Sequence, residues 1–376
     1  MAFGTVSTDV IQTSDGLTLG AGNATLIKNK LINGSMTVDQ RNAGASVSTA
    51  AGGSVYTLDR WLAVYSANSK FTIQQNAGSV TAPAGFPNYL GITSSSAYSV
   101  GSTDYFAISQ RIEGFNTADL AWGTASAKTV TLSFQVYSSL TGTFGGSIVN
   151  SAGTRSYPFT YTISSANTWT SISVTIAGDT SGTWVGATNG VGMIVYLGIG
   201  VGSTFSGTAG SWSANNYFSA TGATSVVGTN GATFYITGCQ LERGSSATGF
   251  EYVNYQTSLA NCQRYFYTLG GSFNGSVSFQ QYSSGGYASS STNAYFAIPL
   301  PVTMRTSPTY SYTGLANFTI QYGGGTAPAP SASTLDIGSP TSAGIQFAVT
   351  GMTSGQVLRL FQNSFNSTSL QFSAEL

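Results

Sequence analysis

The sequence contains no histidine and few charged residues. Of its 376 residues, 12 are Lys or Arg and 12 are Asp or Glu, so 6% of the chain is charged and the formal net charge is zero. Without histidine, Ser-His-Asp and Cys-His nucleophile systems and histidine-ligated metals are excluded. Without a cluster of cations, the counterion release that drives nucleic-acid binding is missing. We therefore expect neither nucleic acid nor an anionic membrane as a partner.

Cysteines and long apolar runs are also scarce. Cys239 and Cys262 are too few to staple a chain of this length, and we expect two reduced thiols. The most apolar segment, Gly190–Gly202, is too short to cross a bilayer and predicts a buried strand. Residues 1–10 lack the basic and apolar regions of a signal peptide. These features predict a chain that is made in the cytoplasm and is not inserted into a membrane.

Aromatic, β-branched and small polar residues are abundant. The chain is 41% hydrophobic and 12% aromatic, so it can bury a core. Many short runs alternate apolar residues with Ser, Thr or Gln, which is typical of strands with one buried face, and Gly/Ser/Asn clusters separate them as turns. The pattern predicts an all-β chain of jelly-roll or β-sandwich domains. The predicted strands include 70–74, 129–137, 169–176, 232–237, 317–322 and 344–350, and the predicted turns include 141–146, 178–182, 203–210 and 221–231.

The composition changes along the chain and predicts four regions. Residues 1–30 are polar and have no core of their own, so we expect them to need a partner. Residues 31–253 contain all five tryptophans and should form one large jelly-roll sandwich. Residues 254–267 carry apolar residues at spacings of three and four and predict a short linking helix. Residues 268–376 should form a second, distal β-rich domain. Its exposed loops are expected at 270–275, 283–293 and 323–330.

Short motifs occur in a characteristic order over most of the chain. They are YTLDRW (56–61), QRIE (110–113), KTVTLSF (128–134), CQLERG (239–244), ATGFEY (247–252), NCQRYF (261–266), MRTSPT (304–309) and FSAEL (372–376). In this order they resemble bacteriophage tail-fibre and tail receptor-binding proteins. Residues 1–30 match no motif of this kind and correspond to the segment that docks such a fibre on the virion.

The resemblance implies a homotrimeric virion adhesin. Its jelly-roll domains would be similar to carbohydrate-binding modules, and its smaller distal domain would touch the host. The composition supports a trimer independently, because nearly uncharged β-chains can cover each other's edge strands and a near-zero net charge favours self-association. Three copies would also multiply weak contacts with one cell surface.

Carboxylate pairs are the remaining route to catalysis, as in glycosidases. The candidates are Asp104 with Glu113 and Asp119, and Glu242 with Glu251. Glu242 and Glu251 lie inside the resembling motifs beside an arginine, so we expect charge pairing, and we expect the other three to be loop or turn carboxylates. The acids do not form a D-x-D-x-D arrangement for Ca²⁺. We predict no enzyme, and nothing in the sequence supports a metal or another cofactor.

Glycan contacts need aromatic rings beside amides on exposed loops. A neutral sugar offers hydroxyls to amide and hydroxyl side chains, and a C–H face to a ring. The candidates in the large sandwich are Trp212, Asn215, Asn216 and Tyr217. The candidates in the distal domain are Gln280, Gln281, Tyr282, Tyr287 and Tyr322. The alternative for each ring is packing on its own sandwich, which is the commoner fate of an aromatic beside a turn.

Several charged motif residues are expected to be structural. We expect Asp59 and Arg60 to be paired and buried next to Trp61 in the core, because scarce charges inside such motifs tend to be paired. Arg264 and Arg305 are expected to tie the helix to the distal domain.

Together, these observations predict an all-β, homotrimeric fibre or spike in the virion of a tailed phage. It would bind other virion proteins through residues 1–30 and a bacterial surface polysaccharide through one or two sandwich domains. One alternative is a purely structural virion component, such as a head fibre or tail connector. A second alternative is a polysaccharide depolymerase.

Overall fold

The computed structural model describes residues 10–12, 18–20, 28–50, 53–270, 280–362 and 368–376. Most of residues 1–30, the expected docking segment, and most of the expected loop 270–275 therefore lie outside the described residues. Within them, the chain is built of β-strands and one α-helix, which confirms the all-β prediction. The chain divides into two compact units, Met1–Ser258 with Leu376 and Leu259–Glu375.

The first unit is a β-sandwich of two six-stranded sheets. One sheet has the order β11-β10-β13-β8-β5-β4, and the other has the order β12-β9-β16-β7-β6-β3. The neighbouring strands in both sheets are antiparallel, whereas the short pair β14-β15 is parallel. The strands are β1 (Val10–Gln12), β2 (Thr18–Gly20), β3 (Val47–Ser48), β4 (Ser54–Tyr56), β5 (Leu62–Tyr65), β6 (Phe71–Gln75), β7 (Leu90–Ser94), β8 (Tyr105–Glu113), β9 (Val130–Ser138), β10 (Gly142–Asn150), β11 (Ser156–Ile163), β12 (Thr170–Ile176), β13 (Val191–Val201), β14 (Ser206–Gly207), β15 (Ser219–Ala220) and β16 (Thr233–Arg243).

Alternating sequence patterns direct the strands' apolar faces into one shared core. On β9, Val130, Leu132, Phe134 and Val136 are buried in the same cluster as Ile108 of the opposite sheet. The apolar segment predicted as a buried strand is β13, the third strand of its sheet. The core lies between the two sheets and draws residues from both.

One predicted turn is a strand instead. Residues 142–146 begin β10 and pair with β11, so the turn predicted at 141–146 is wrong. The reason is packing, because a Cβ on Gly146 would lie 2.4 Å from the ring of Phe159. The glycine here makes room for an aromatic neighbour and does not reverse the chain.

The charged motif at Asp59 and Arg60 is buried as predicted. Asp59, Arg60 and Trp61 are each at most 1% exposed. Asp59 accepts hydrogen bonds from the backbone N–H of Gln40 at 2.6 Å and from its side-chain amide at 2.7 Å. The Trp61 indole N–H donates to the carbonyl of Asn33 at 3.0 Å. The Asp59 carboxylate and the Trp61 indole therefore find hydrogen-bond partners inside the sandwich.

The helix α1 spans Tyr255–Gln263. A helix is therefore present within the predicted range 254–267, but it is shorter than that range. Phe266, expected on the helix, begins the next strand. Among the described residues, no helix has both the length and the apolar character needed to cross a membrane.

The second unit contains a three-stranded and a seven-stranded sheet. The three-stranded sheet has the order β17-β26-β20, and the seven-stranded sheet has the order β22-β21-β25-β18-β19-β24-β23. Phe296, Phe318 and Phe347 are among its buried core residues. The strands are β17 (Phe266–Gly270), β18 (Gln280–Ala288), β19 (Asn293–Pro299), β20 (Thr309–Thr313), β21 (Phe318–Tyr322), β22 (Gly325–Thr326), β23 (Ala332–Gly338), β24 (Ser342–Ala348), β25 (Val357–Gln362) and β26 (Ser369–Ser373).

The loop predicted at 283–293 is only partly a loop. Residues 283–288 belong to β18, and the turn is confined to the residues before β19 begins at Asn293. The backbone N–H of Arg305 donates to the carbonyl of Arg264 at 2.8 Å, but Arg264 follows α1 and is not part of it. The Arg305 guanidinium also donates to the carbonyls of Ala374 and Glu375, each at 2.7 Å.

Candidate functional site

Trp212 belongs to a packed aromatic cluster in the first unit. Its ring centroid lies 5.3 Å from that of Trp122 and 5.6 Å from that of Trp184. Its indole N–H donates to the carbonyl of Ala177 at 2.9 Å. The Trp122 indole likewise donates to the carbonyl of Lys128 at 2.7 Å. Trp212 therefore packs on its own sandwich, which was the alternative to glycan contact, because its ring and its N–H group are both engaged there.

A small cavity of about 220 Å³ lies beside two of these indoles. Thr117 and Thr124 contribute its hydroxyls, but each already donates to a backbone carbonyl, of Gly114 and Ala121 respectively. The cavity therefore offers apolar walls and no free side-chain donor from these two threonines.

Asn215, Asn216 and Tyr217 lie together, with the two amides exposed and the tyrosine half-buried. The Asn215 side-chain amide donates to the Tyr217 hydroxyl at 3.1 Å. One face of the Tyr217 ring is covered, because a Cβ on Gly207 would lie 2.3 Å from it. The segment thus exposes two amides beside a half-buried tyrosine whose ring is covered on the side of Gly207.

Tyr282 is not a loop residue, and its predicted exposure is wrong. It lies in β18 and is 7% exposed. Its hydroxyl is 2.8 Å from that of Thr368, 2.9 Å from the Thr368 carbonyl and 3.0 Å from the side-chain oxygen of Gln362. Burial raises the pKa of this phenol, and the hydrogen bond with Thr368 only partly offsets the effect. Tyr282 therefore belongs to the core of the second unit.

The remaining distal candidates differ in exposure. Tyr322 ends β21, is half-buried and packs against the core of the second unit. Gln281 is exposed, and the side chain of Gln280 lies outside the described residues. Tyr287 is 55% exposed.

The exposed Tyr287 forms an aromatic pair with the half-buried Tyr295. The two residues are direct partners on β18 and β19. Their ring centroids are 5.5 Å apart and the ring planes differ by 16°, so the rings are stacked. The opposite face of this sheet carries the core residues Ala294 and Phe296, so the tyrosines stand on the solvent side. The pair forms an aromatic platform on a rigid sheet.

An amide pair lies next to this platform. Gln346 is the direct partner of Tyr295 on β24. Its side-chain amide donates to the side-chain oxygen of Asn293 at 2.9 Å. Asn293 and Tyr295 are two residues apart on β19 and therefore point to the same face. Aromatic rings and amides thus lie side by side here on strands, whereas the sequence prediction placed such groups on exposed loops.

A depression of about 430 Å³ lies on the same sheet. It forms where β18 bulges, because Ser283 pairs with Leu360 while Gly286 pairs with Leu358. Three steps on β18 then match two on β25, which disrupts the ladder and re-aims the bulged residues. The depression is lined by Gln281, Tyr282, Ser283, Ser284, Gly285, Ala297 and Pro299.

We call this surface the β18–β19 face. It comprises the aromatic pair Tyr287 and Tyr295, the amide pair Asn293 and Gln346, and the depression at the bulge. Along β19, from Asn293 to Pro299, it extends for about 20 Å at the usual rise of a strand. Sequence reasoning missed Tyr295, Asn293 and Gln346. The Ser/Thr-rich turn after Ala288 was the available signal for Tyr295, because a hairpin there brings Tyr287 opposite it.

Comparisons with known proteins give the following relationships. No family model and no curated protein matches the chain. Among solved structures, the chain is similar to the enzymatically active domain of tailspike protein 4 of Bacteriophage CBA120, at 10% identity and a TM-score of 0.31 over 58% of this chain and 22% of that chain.

Carbohydrate-binding modules are also among the similar structures. TmCBM61 in complex with β-1,4-galactotriose is 10% identical, with a TM-score of 0.29 over 58% of this chain and all of that chain (100%). The family 11 carbohydrate-binding module from Clostridium thermocellum, in complex with a mixed-linked tetrasaccharide, is 10% identical, with a TM-score of 0.26 over 56% of this chain and 100% of that chain.

The candidate catalytic carboxylates are held in structural networks. Glu242 is 0% exposed and accepts hydrogen bonds from the Thr248 backbone N–H at 2.8 Å and its hydroxyl at 2.7 Å. Its cationic neighbour is Lys28, at 3.9 Å. Glu251 accepts from the backbone N–H groups of Lys28 and Asn29 at 2.9 and 2.8 Å. Glu242 lies in the last strand of the sandwich, β16, and Glu251 follows that strand. Both acids therefore join residues 28–29 to this end of the chain segment that forms the sandwich.

The other acids are engaged as well. Asp119 pairs with Lys30 at 2.7 Å. Asp104 accepts hydrogen bonds from Ser66 at 2.8 Å and Tyr98 at 3.0 Å. Burial raises the pKa of Asp104, but these bonds and one from the backbone of Gly101 outweigh it, so its pKa lies below the ordinary value. Among the residues that the structure describes, no group of three or more acids or cysteines is arranged to hold a metal.

Proposed function

We propose that this protein is a bacteriophage virion adhesin that binds a bacterial surface glycan without cleaving it. The observation that carries the proposal is the stacked pair Tyr287 and Tyr295 beside the amides of Asn293 and Gln346. Rings cover the C–H face of a sugar, while amides exchange hydrogen bonds with its hydroxyls. A rigid sheet holds these groups in place, so little ordering entropy is lost on binding.

The length of the face suits a chain of sugars. Along β19, Asn293 of the amide pair is followed by Tyr295 of the aromatic pair and then by Ala297 and Pro299 of the depression, over about 20 Å. β19 pairs with β18 on one side and with β24 on the other, and this pairing fixes the positions of its side chains. We therefore propose that several consecutive sugar units are contacted, each weakly.

Attachment would be strengthened by copies of the chain. We propose a homotrimer that is anchored to other virion proteins through residues 1–30 and presents three β18–β19 faces. Linked sites gain an effective concentration that can raise avidity about 10²-fold to 10⁴-fold without new contacts. Weak single sites would then suffice to hold a particle on a cell.

The experiment removes both rings of the platform. The Tyr287→Ala/Tyr295→Ala protein and the wild type are compared on an array of bacterial capsular polysaccharides and lipopolysaccharides. We expect at least about tenfold weaker binding by the variant, equivalent to about 1.4 kcal/mol. Tyr255→Ala is the matched control, because Tyr255 is also 55% exposed but lies on α1.

Two results would contradict the proposal. Equal binding by wild type and double variant would show that the platform is not the site. A wild type that binds no glycan on the array, and does not compete with a phage for its bacterium, would leave a purely structural virion component as the better account.

A further inference from the structure

Arg359 lies on the solvent side of β25, beside the depression. Its neighbours Leu358 and Leu360 are both 0% exposed, so Arg359 points to the opposite face of the strand. Leu358 pairs with Gly286 and Leu360 pairs with Ser283. The bulged residues between these two pairs, Ser284 and Gly285, therefore lie opposite Arg359, and both line the depression.

Charged side chains are rare on this sheet. In the described strands of the seven-stranded sheet, Arg359 is the one cation and Asp336 the one acid. Asp336 lies on β23, four strands from β25. At the usual spacing between strands, this separation is about 19 Å. The two charges cannot form an ion pair.

Other arginines of the second unit are used differently. Arg264 and Arg305 donate to backbone carbonyls within their own unit. Arg359 is exposed, and no described side chain lies in ion-pair contact with it. The whole chain contains 12 lysines and arginines. Arg359 is one of these few cations, and it lies beside the β18–β19 face.

We infer that the glycan bound by the β18–β19 face carries an anionic group, a carboxylate or a phosphate, and that Arg359 binds that group. The inference rests on the proposed function. A guanidinium donates two parallel hydrogen bonds to either anion and remains protonated at every physiological pH. The aromatic and amide groups would bind the sugar rings, and Arg359 would select acidic over neutral polysaccharides.

The test uses the full-length chain and three classes of probe. The probes are uronic acid polysaccharides, polysaccharides that carry phosphomonoester side groups, and neutral polysaccharides. Each acidic probe that binds is also presented after carboxyl reduction or dephosphorylation. The class that loses binding on this treatment distinguishes a carboxylate from a phosphate.

The variants are Arg359→Gln, Arg359→Lys and the control Arg243→Gln, which changes an exposed arginine of the first unit. We expect the wild type to bind an acidic probe at least about tenfold more tightly than its neutralised form, since hydrogen bonds to charged groups contribute about that much. Arg359→Gln should abolish this difference, and Arg359→Lys should retain part of it. Arg243→Gln should behave as the wild type.

The outcomes separate the inference from the proposed function. Tight binding to neutral probes alone, or an acidic preference that persists in Arg359→Gln, overturns the role of Arg359 and leaves glycan binding intact. Binding to no probe of any class overturns both.

Discussion

The hydroxyl of Tyr282 lies 2.8 Å from the hydroxyl of Thr368, in the interior of the second unit. Five residues along the same strand, Tyr287 is 55% exposed and stacks on Tyr295. Two tyrosines of one glycine- and serine-rich segment therefore have opposite roles. Tyr282 stabilises the unit, and Tyr287 is available to a ligand.

This contrast predicts different effects of alanine at the two positions. Tyr282→Ala should lower the free energy of unfolding of the second unit by about 3 kcal/mol, because it removes a buried ring and leaves polar partners unpaired. Tyr287→Ala should lower it by at most about 1 kcal/mol, because it removes only an exposed cross-strand ring pair. Calorimetric unfolding measures both.

An internal reference is available for this measurement. All five tryptophans lie in the first unit, so tryptophan fluorescence follows that unit alone. We expect its transition to be unchanged in both variants. A Tyr287→Ala protein that unfolds as early as Tyr282→Ala would show that the aromatic pair is structural.

The pair Arg155 and Asp179 predicts acid sensitivity of the first unit. The Arg155 guanidinium donates to both carboxylate oxygens of Asp179, each at 2.7 Å. Burial raises the pKa of Asp179, but the bonds from Arg155, from the Ser181 backbone N–H and from the Trp184 indole outweigh it, so its pKa lies below the ordinary value. A carboxylate with a lowered pKa stabilises the folded state above its unfolded pKa, about 3.9, and loses that contribution as the pH falls through its folded pKa.

Asp179→Asn should therefore destabilise the first unit by about 1–3 kcal/mol at pH 7. The difference from wild type should be constant above about pH 5 and should narrow below about pH 4. Urea unfolding followed by tryptophan fluorescence from pH 3 to pH 7 measures it. A difference that stays the same throughout, or grows in acid, would show that this ion pair does not set the pH dependence.

A homotrimer is expected at micromolar concentration. The chain has no net charge and exposes strand edges that copies of itself can cover. Sedimentation equilibrium of the full-length protein should give three times the chain mass of 38.7 kDa. A monomer at this concentration would remove the avidity argument while leaving the single binding face to be tested by the array.

Much of the fold was predictable from local patterns. Alternation in β9 and the apolar run of β13 specify strands because side chains of a strand point alternately to two faces. Leu259 and Cys262 are three residues apart, a spacing that indicates a helix because one helical turn takes 3.6 residues. The Gly142–Gly146 run was misjudged, because glycine is common both in turns and beneath a packed ring such as Phe159.

The site was less predictable. The sequence prediction included Tyr287 and Gln281 of the proposed face together with the buried Tyr282, and it did not include Tyr295, Asn293 or Gln346. The sequence by itself predicted rings beside amides with few charges, but on exposed loops, whereas the residues of the β18–β19 face lie on strands. Only the tertiary structure decided which of them reach solvent, because the pairing of β18 with the distant β25 and of β19 with β18 and β24 sets which face of the sheet each side chain occupies.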